Sequence, residues 1–375
     1  MRRKAILAVV LLPLFLLGAS PPAQASRPVT VAPVITWGLS QEVVAFSGDL
    51  FLYSDDCHAD PDLYAYDLSS DDWFPVDTTN GYPPWGRMAG NVAAVWMDDP
   101  LHGFWEPDFT GLDIYGLTID PATRSATRFP VCTASEVQQE AGLSEELVVW
   151  ADWRDHGAAF DGSGAGWSSE MPADIWAYDR TTGRELPVVR DSVRQEYPAV
   201  SGRTVVWQDK RNGGWDIYGA TVSADGTVAE FPICRHARAQ INPAISGDTV
   251  VWTDYRRGNA DIYGYDLQER RVFPVRIARR HQMDPQVSGT LVLWNDVRYT
   301  RAGVVSVIRG KDLAHGDVFT IPLQPWGWVL DGDRVLVTVQ VDEPDPFMWG
   351  YFSTDVWLAT IGPSTETPAG GEGGQ

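Results

Sequence analysis

The sequence predicts an all-β protein built from seven consecutive four-stranded sheets. Two observations lead to this expectation. Three sequence landmarks stay in phase through seven repeats of about 42 to 57 residues, and each repeat consists of short strand patterns separated by turns that contain glycine. One such sheet cannot bury both faces alone, so it needs copies of itself on either side. A closed ring of sheets, a seven-bladed β-propeller, meets that need.

The fifth repeat, residues 240–275, shows the strands most clearly. Pro243–Ser246 is the first strand pattern, and a Ser-Gly-Asp turn leads into the β-branched run Thr249–Thr253. A second turn around Gly258 precedes the alternating strand Asp261–Leu267, and Phe273–Val275 supplies the fourth strand. The pattern is that of an antiparallel sheet with tight turns.

The landmarks lie in the second, third and fourth strands. The second strand carries an aromatic residue in six repeats and threonine in the last: Tyr53, Trp96, Trp150, Trp207, Trp252, Trp294 and Thr338. The third strand opens with aspartate, an aliphatic residue and an aromatic one, beginning at Asp62, Asp113, Asp174, Asp216, Asp261 and Asp355, with a degenerate version near Val305–Val307. The fourth strand begins at Phe74, Phe129, Leu186, Phe231, Phe273 and Phe319.

The seventh repeat has no fourth strand of its own. Val29–Thr36, ahead of the first repeat, resembles a closing strand. Because an open ring would leave unpaired sheet edges, we expect this segment to become the outer strand of the last blade and to join the two ends of the chain.

The N-terminal segment predicts an exported protein, and the net charge excludes some classes of partner. Met1–Ala25 reads as a signal peptide, with a basic start, an apolar run and cleavage near Ala25. Residues 26–361 would form the propeller and residues 362–375, without large apolar side chains, a disordered tail. The net charge of −21 argues against nucleic acid or an anionic membrane as partner. We expect a monomer that is periplasmic, extracellular or on the cell surface.

Three cysteines are an odd number for an oxidising compartment. Cys57 and Cys132 fall on adjacent blades and are the one plausible pair, whereas Cys132 and Cys234 fall on blades that are not neighbours. The sequence favours no disulfide.

The repeat resembles a known family. Pro243 to Asp248, then Val251-Trp252, Arg256, Gly258-Asn259 and Asp261-Ile262-Tyr263, are similar to the TolB-like (WD40-like) propeller repeat of secreted and cell-surface proteins. The resemblance covers about residues 41–360 and is strongest in the fourth and fifth repeats. It implies the propeller fold.

Two polar sets recur, and we expect both to be structural. The first is Asp254, Arg256 and Asp261 with its counterparts, in which the arginine would make bidentate bonds to one or both carboxylates; a calcium loop is the alternative. The second is a glutamine near the inner end of the first strand in five repeats, expected to bond neighbouring backbones: Gln41, Gln138, Gln195, Gln240 and Gln282.

Function is expected where the repeat is broken. Strand directions alternate, so the loop after the second strand and the loop between blades lie on one face, here called the upper face. Insertions gather there, at Asp99–Leu112, Asp155–Ala173 and Asp342–Thr354, with the shorter Asp55–Pro61. Long loops on a rigid scaffold are a usual place for binding residues.

Basic residues collect on the upper-face loops of the other blades. We call this set the arginine arc: Arg190, Arg194, Arg235, His236, Arg238, Arg276, Arg279, Arg280 and His281. The arginine arc predicts binding of an anion. The alternative is that these arginines pair with the neighbouring inserted loops.

A metal site is a further hypothesis. His58, His102 and His156 fall on equivalent loops of adjacent blades and could bind a transition metal with Asp56 or Asp99. Most exposed histidines bind nothing, so the sequence implies no cofactor firmly.

Two functions remain open. In the first, the protein binds a carbohydrate or a protein, with Trp105, Trp167, Trp349 and Tyr351 stacking on the ligand and Arg235 and Arg279 holding its carboxylates or sulfates. In the second it is a polysaccharide lyase acting on a uronate polymer, with Arg238 and Arg280 neutralising the carboxylate and His236 or His281 as base. A glycoside hydrolase using Glu106 and Asp108 is a weaker variant of the enzyme hypothesis.

Overall fold

A computed structural model describes residues 27–36, 41–55, 62–77, 85–98, 112–156, 171–301, 303–344 and 352–364. Within these ranges 28 strands form seven four-stranded antiparallel sheets. The expected seven-bladed β-propeller is therefore confirmed. The predicted leader lies outside the described residues. Nowhere in these ranges is there a helix long and apolar enough to cross a membrane.

The strands follow the repeats. The N-terminal strand and the first three blades comprise β1 Val29–Ile35; β2 Gln41–Ser47, β3 Leu50–Asp55, β4 Asp62–Asp67, β5 Asp72–Asp77; β6 Trp85–Ala89, β7 Val92–Asp98, β8 Leu112–Asp120, β9 Ser125–Cys132; β10 Gln138–Leu143, β11 Leu147–Asp152, β12 Asp174–Asp179, β13 Arg184–Val189. The remaining blades comprise β14 Gln195–Ser201, β15 Thr204–Asp209, β16 Asp216–Val222, β17 Val228–Cys234; β18 Gln240–Ser246, β19 Thr249–Asp254, β20 Asp261–Asp266, β21 Arg271–Arg276; β22 His281–Ser288, β23 Leu291–Thr300, β24 Gly303–Asp312, β25 Val318–Thr320; β26 Gly327–Asp331, β27 Arg334–Pro344, β28 Phe352–Ile361.

The two ends of the chain meet in the seventh blade. β1 is its outer strand and pairs with β28 from Val29–Ile361 to Ile35–Val356, as the sequence predicts. The residues just before β1 add to the seam, because Gly362 N donates to Pro28 O at 2.8 Å and Arg27 Nη2 lies 2.5 Å from Asp312 Oδ2.

Asp312 is a buried anchor of this seam. Burial alone would raise the pKa of its carboxyl, but hydrogen bonds from His315, Thr290, the N–H of Ala314 and Arg27 lower it to about 2. The carboxylate that receives Arg27 is therefore charged throughout the physiological range.

The first strands of the seven blades lie against one another around the whole ring, so they are the innermost strands. The core lies between blades. Its largest fully buried side chains include the second-strand residues Trp150, Trp207, Trp252 and Trp294. Each indole is wedged where two sheets face each other, which explains why this landmark repeats.

A glycine–phenylalanine pair shapes the outer half of several blades. A Cβ on Gly264 would come within 2.6 Å of the Phe273 ring, and one on Gly116 within 2.1 Å of the Phe129 ring. The ring of the fourth strand thus lies directly on the backbone of the third strand, and a side chain there would displace it.

On the lower face a belt of hydrogen bonds joins consecutive blades. The turn glycine of one blade donates its N–H to the turn serine of the blade before: Gly90 to Ser47, Gly247 to Ser201, Gly289 to Ser246 and Gly332 to Ser288, at 2.9–3.0 Å. Gly247 has φ +54°, which glycine adopts without strain. The Ser-Gly turn thus serves blade packing.

Nearer the upper face, five inner strands contain a bulge. In four of them the bulge holds a residue with φ between 51° and 60°: Glu140, Tyr197, Asn242 and Asp284. Three of these residues donate their N–H to a side chain of the preceding blade: Tyr197 to Glu140 Oε2 at 2.7 Å, Asn242 to Gln208 Oε1 at 2.9 Å and Asp284 to Thr253 Oγ1 at 3.0 Å. These bonds join the inner strands that surround the central channel of the ring.

We predict that removal of residues 1–36 lowers the melting temperature strongly, on the order of 10 °C, because it exposes the edge of β28 and the fully buried site of Ile35. Removal of residues 365–375, which leaves Gly362 and its bonds in place, should change it little. Calorimetry of the two truncated proteins checks this, and equal melting temperatures would contradict closure by β1.

Candidate binding face

The antiparallel order within each blade places the loops after the second strands and the loops between blades on the upper face, as expected. Most of the inserted loops lie outside the described residues. This includes ten side chains for which roles are predicted: Trp105, Trp167, Trp349, Tyr351, His58, His102, Asp56, Asp99, Glu106 and Asp108. Their roles stay predictions.

The arginine arc is placed on consecutive inter-blade loops. Arg235 and Arg238 are exposed between β17 and β18, and Arg279 and Arg280 are exposed between β21 and β22. Arg280 Nη1 lies 3.8 Å from Asp296 Oδ1. In the part of the chain that the structure describes, Arg235, Arg238 and Arg279 form no ion pair, so three cations of the arc point to solvent.

Two other members of the arc do pair with carboxylates. Arg190 Nη2 lies 2.7 Å from Asp155 Oδ2, and the guanidinium of Arg194 contacts the Glu196 carboxylate. The alternative in which the arginines serve local pairing therefore holds for the start of the arc, at the fourth blade. It does not account for the three exposed arginines before the fifth and sixth blades.

The two candidate bases differ in their surroundings. His281 Nδ1 accepts the N–H of Ala260 at 3.3 Å, and its ring packs edge-on against Tyr299 at 5.7 Å. This contact engages the Nδ1 lone pair of His281. The His236 ring is exposed, and its Nδ1 has one weak contact, 3.5 Å from Arg238 N.

His156, the one candidate metal ligand within the described residues, lies 3.1 Å from Asp174 Oδ2 through its Nε2. Burial raises the pKa of Asp174, although the N–H of Asp191 and the His156 ring both act to lower it. The described residues contain no group of three side chains placed to bind a metal ion. The observed contact of His156 is therefore with a carboxylate of its own blade.

The recurring Trp-Asp-Arg set is structural, as expected. Arg256 bonds one carboxylate of the set, Asp254, with Nε and Nη2 at 2.9 and 2.6 Å, and its guanidinium lies 4.1 Å above the Tyr263 ring. Two counterparts also contact a second carboxylate, on the fourth strand: Arg154 contacts Glu185 and Arg211 contacts Glu230. Asp261 instead accepts the N–H of Ala278 at 3.1 Å. The hairpin places the second carboxylate beside the inter-blade loop, where it orders that loop.

Sequence reasoning also missed the partner of the second-strand tryptophan. Trp252 Nε1 donates to Asp254 Oδ2 at 2.8 Å, and the pairs Trp150–Asp152 and Trp207–Asp209 repeat the bond. The constant spacing of two residues was the available signal. The Trp-Asp-Arg set therefore stabilises its own blade. Its bonds occupy both oxygens of the aspartate, Asp254 in the fifth blade, and leave none free for a calcium ion.

Cys132 and Cys234 are buried free thiols, and Cys57 lies outside the described residues. Burial raises the pKa of Cys132 to about 12 and that of Cys234 to about 11. Arg154 Nη2 lies 2.7 Å from Cys132 Sγ and Arg256 Nη2 lies 3.1 Å from Cys234 Sγ. Both sulfurs therefore pack against the structural arginines.

The glutamines are fully buried at the inner ends of their strands, but the bonds between blades come from their backbones. The N–H groups of Gln195, Gln240 and Gln282 donate to Ala173 O, Trp215 O and Ala260 O of the preceding blade at 2.8–2.9 Å. The side-chain amides of Gln138 and Gln240 instead donate to carbonyls of the loop just before their own strand.

The sixth blade carries a feature that sequence reasoning missed. Its β23–β24 hairpin continues to the pair Thr300–Gly303, well above the upper face. Tyr299 on this hairpin and Trp326, just before β26, are each 66% exposed. The alternation from Arg298 to Val307 was the available signal for a longer ladder.

A cleft of about 330 Å³ opens at the upper, inner end of the sixth and seventh blades. Its described lining mixes two indoles with polar side chains: Asp284, Gln286, Asn295, Ser306, Trp326 and Trp328. It lies on the same face as the exposed arginines.

The inner strands of the third and fourth blades bring two carboxylates together. Burial, with the nearby charge of Glu196, raises the pKa of Glu140 to about 8, although the N–H of Tyr197 and the cations Arg194 and Arg87 act to lower it. Glu140 is therefore largely protonated at neutral pH, and the channel is less acidic than the composition implies.

This shift predicts a pH dependence of stability. The native protein holds the Glu140 proton up to a pH of about 8, whereas the unfolded chain releases it near 4.5, so Glu140 lowers stability progressively as pH rises between those values. Glu140→Gln should raise the melting temperature above pH 8 by a few degrees relative to the native protein and change it little near pH 4. Thermal melts across this range check it. The exposed Glu145→Gln is the control, and parallel pH profiles for all three proteins would contradict the assignment.

Comparison with known proteins adds information on the fold. No family model and no curated protein matches the chain. Among solved structures, an oligogalacturonate lyase in complex with manganese has a TM-score of 0.56 at 12% identity, covering 90% of this chain and 96% of that chain. An acylaminoacyl peptidase from Pyrococcus horikoshii has a TM-score of 0.56 at 14% identity, over 86% of this chain and 52% of that one.

A putative TolB from Agrobacterium tumefaciens also matches, at 15% identity and a TM-score of 0.41, over 80% of this chain and 89% of that chain. At these identities the matches show the fold alone. The chain has the seven-bladed propeller that its TolB-like repeats imply.

Proposed function

We propose that this protein binds an acidic glycan on its upper face, over the fourth to sixth blades. The observation that carries the proposal is the exposed part of the arginine arc. Arg235, Arg238 and Arg279 stand on two consecutive inter-blade loops and make no ion pair within the described ranges, in a chain of net charge −21. Exposed cations without partners, on a strongly acidic protein, favour a local anion-binding role.

The side chains suit a glycan that carries carboxylates or sulfates. A guanidinium presents a planar set of donors that matches a carboxylate or sulfate. The exposed rings of Tyr299 and Trp326 lie on the same face, where they offer apolar surface to the faces of sugar rings. Sugar rings with anionic groups combine both requirements in one ligand.

The electrostatics set a condition on such binding. An acidic protein repels an anionic ligand at long range, and this repulsion is screened beyond about 8 Å at physiological ionic strength. The arginines act within that distance, so the ligand would be recognised by close contacts. We therefore propose recognition of discrete sugar units, by an exported protein whose partner is a polysaccharide.

A lyase acting on a uronate polymer is the second candidate. The position of His236 favours it: an exposed imidazole between Arg235 and Arg238 could take the proton while the arginines neutralise the carboxylate. An oligogalacturonate lyase shares the fold, which is support by analogy alone. A backbone N–H contacts Nδ1 of both candidate bases, at 3.3 Å in His281 and at a longer 3.5 Å in His236, so His236 is the favoured base.

We predict that the double variant Arg235→Ala, Arg238→Ala weakens binding of oligogalacturonides by roughly tenfold or more, since a hydrogen bond to a charged group contributes about 1.5–3 kcal/mol. Titration calorimetry at low and physiological salt measures this. The matched control is Arg184→Ala, Arg271→Ala, which removes the same charge from exposed positions at the opposite ends of their blades. An equal loss in both doubles, or no binding by the native protein, would remove the proposal.

The binding proposal also predicts that no unsaturated product forms when the protein is incubated with uronate polysaccharides. Absorbance of unsaturated sugar ends reports the product, with and without chelator. Product that disappears in His236→Ala would establish the lyase instead, and sensitivity of that activity to the chelator would show that it needs a metal.

A further inference from the structure

The cleft between the sixth and seventh blades exists because the pattern of inter-blade bonds changes there. In the fourth, fifth and sixth blades, the residue four positions before the turn serine lies in the bulge and donates its N–H to the preceding blade. In the seventh blade that position is Gly327, and its ladder runs straight from Gly327–Thr338 to Asp331–Arg334. No bulge and no side chain fill the gap.

Asn295 shows the consequence on the facing blade. It occupies the position of Gln208 and Thr253, which accept the N–H of the next blade. Asn295 Oδ1 instead accepts Trp328 Nε1 at 2.9 Å and Ser306 Oγ at 3.3 Å. Its Nδ2 has no hydrogen bond to any described residue, although it lines the cleft.

Asp284 provides an acceptor on the same lining. Its Oδ1 accepts Asn242 Nδ2 at 2.6 Å, while Oδ2 makes no bond within the described part of the chain. Its backbone has φ +52° in the inner-strand bulge, like that of Glu140, Tyr197 and Asn242 on other blades. The cleft therefore offers a fixed acceptor and a free amide donor.

Trp326 forms the rim. Its backbone is anchored by the bond from its N–H to Thr338 O at 2.8 Å, yet its side chain is 66% exposed. A large indole held in water beside a cavity is typical of a ligand-stacking position, because burial of the ring on binding is favourable. The volume of about 330 Å³ lies at the small end of ligand pockets and suits one ring.

We propose that this cleft binds one uncharged sugar ring, with Trp326 stacked on its apolar face and Asp284 and Asn295 bonding its hydroxyls. The ring is uncharged because a uronate carboxylate would lie against Asp284, where like charges repel. This inference rests on the proposed glycan-binding function and deepens it. The ligand carries a neutral unit for the cleft and an acidic unit for the exposed arginines.

Gly327 allows a sharp test. A Cβ added there would meet no heavy atom within 4 Å, and its φ lies outside the left-handed region. Gly327→Val should therefore fold normally while reducing the volume of the cleft. Gly214→Val is the matched control, since Gly214 also has open space and an ordinary φ but lies on the fourth blade. Equal melting temperatures confirm that both variants are folded.

The probes are neutral cello-, manno- and galacto-oligosaccharides and oligogalacturonides of di- to hexasaccharide length, titrated by calorimetry. We expect the native protein and Gly214→Val to bind a neutral series, Gly327→Val to lose that binding, and Trp326→Ala to weaken it by up to roughly tenfold. The double variant Arg235→Ala, Arg238→Ala should bind the neutral series unchanged.

The outcomes separate the two proposals. Binding of oligogalacturonides without binding of any neutral series overturns the cleft assignment and leaves the acidic-glycan function intact. Neutral binding that Gly327→Val abolishes, without any acidic binding, supports the cleft and removes the acidic-glycan function. Equal losses in Gly327→Val and Gly214→Val overturn the cleft assignment, because the loss would then be unrelated to cleft volume.

Discussion

The pairing of β1 with β28 is the constraint on which the rest of the structure depends. Each blade buries its faces only against its two neighbours, so a ring broken at one junction would expose two apolar faces at once. β1 prevents this by making the last blade from both ends of the chain. Arg27 and Asp312 tie the same seam to the sixth blade. Closure fixes the spacing of all blades and hence the position of every upper-face loop.

The loops on the two faces of the ring are constrained to different degrees. On the lower face, two-residue turns must place a glycine N–H opposite the serine of the neighbouring blade, so their length and sequence are constrained. The upper-face loops lie beyond the last bonds between inner strands and can lengthen without breaking the ring. The β23–β24 hairpin and the exposed Trp326 are such departures. Among the described residues, departures from the repeat are therefore concentrated on one face.

The sequence predicts the fold well because the landmarks fill the same environment in several blades. The wedge between two sheets needs a large apolar side chain, which is why Trp150, Trp207 and Trp252 recur. The candidate site is harder to predict, because it arises where a feature is missing. Gly327 looks like many other glycines in the chain, and only the straight ladder of β26 shows that its lack of a side chain opens a cleft.

Formal charge is a poor guide to where this protein can receive a ligand. The chain has a net charge of −21. The pKa of Glu140 is raised to about 8, so the inner channel is less negative than the composition implies. Other carboxylates, such as that of Asp254, are neutralised by arginines within their own blades. Local geometry therefore decides the sign of each surface. In the proposed function, the exposed guanidiniums would receive the anionic groups of the glycan, and Asp284 and Asn295 would receive neutral hydroxyls. An acidic protein would then bind a partly acidic glycan through two separate regions of its upper face.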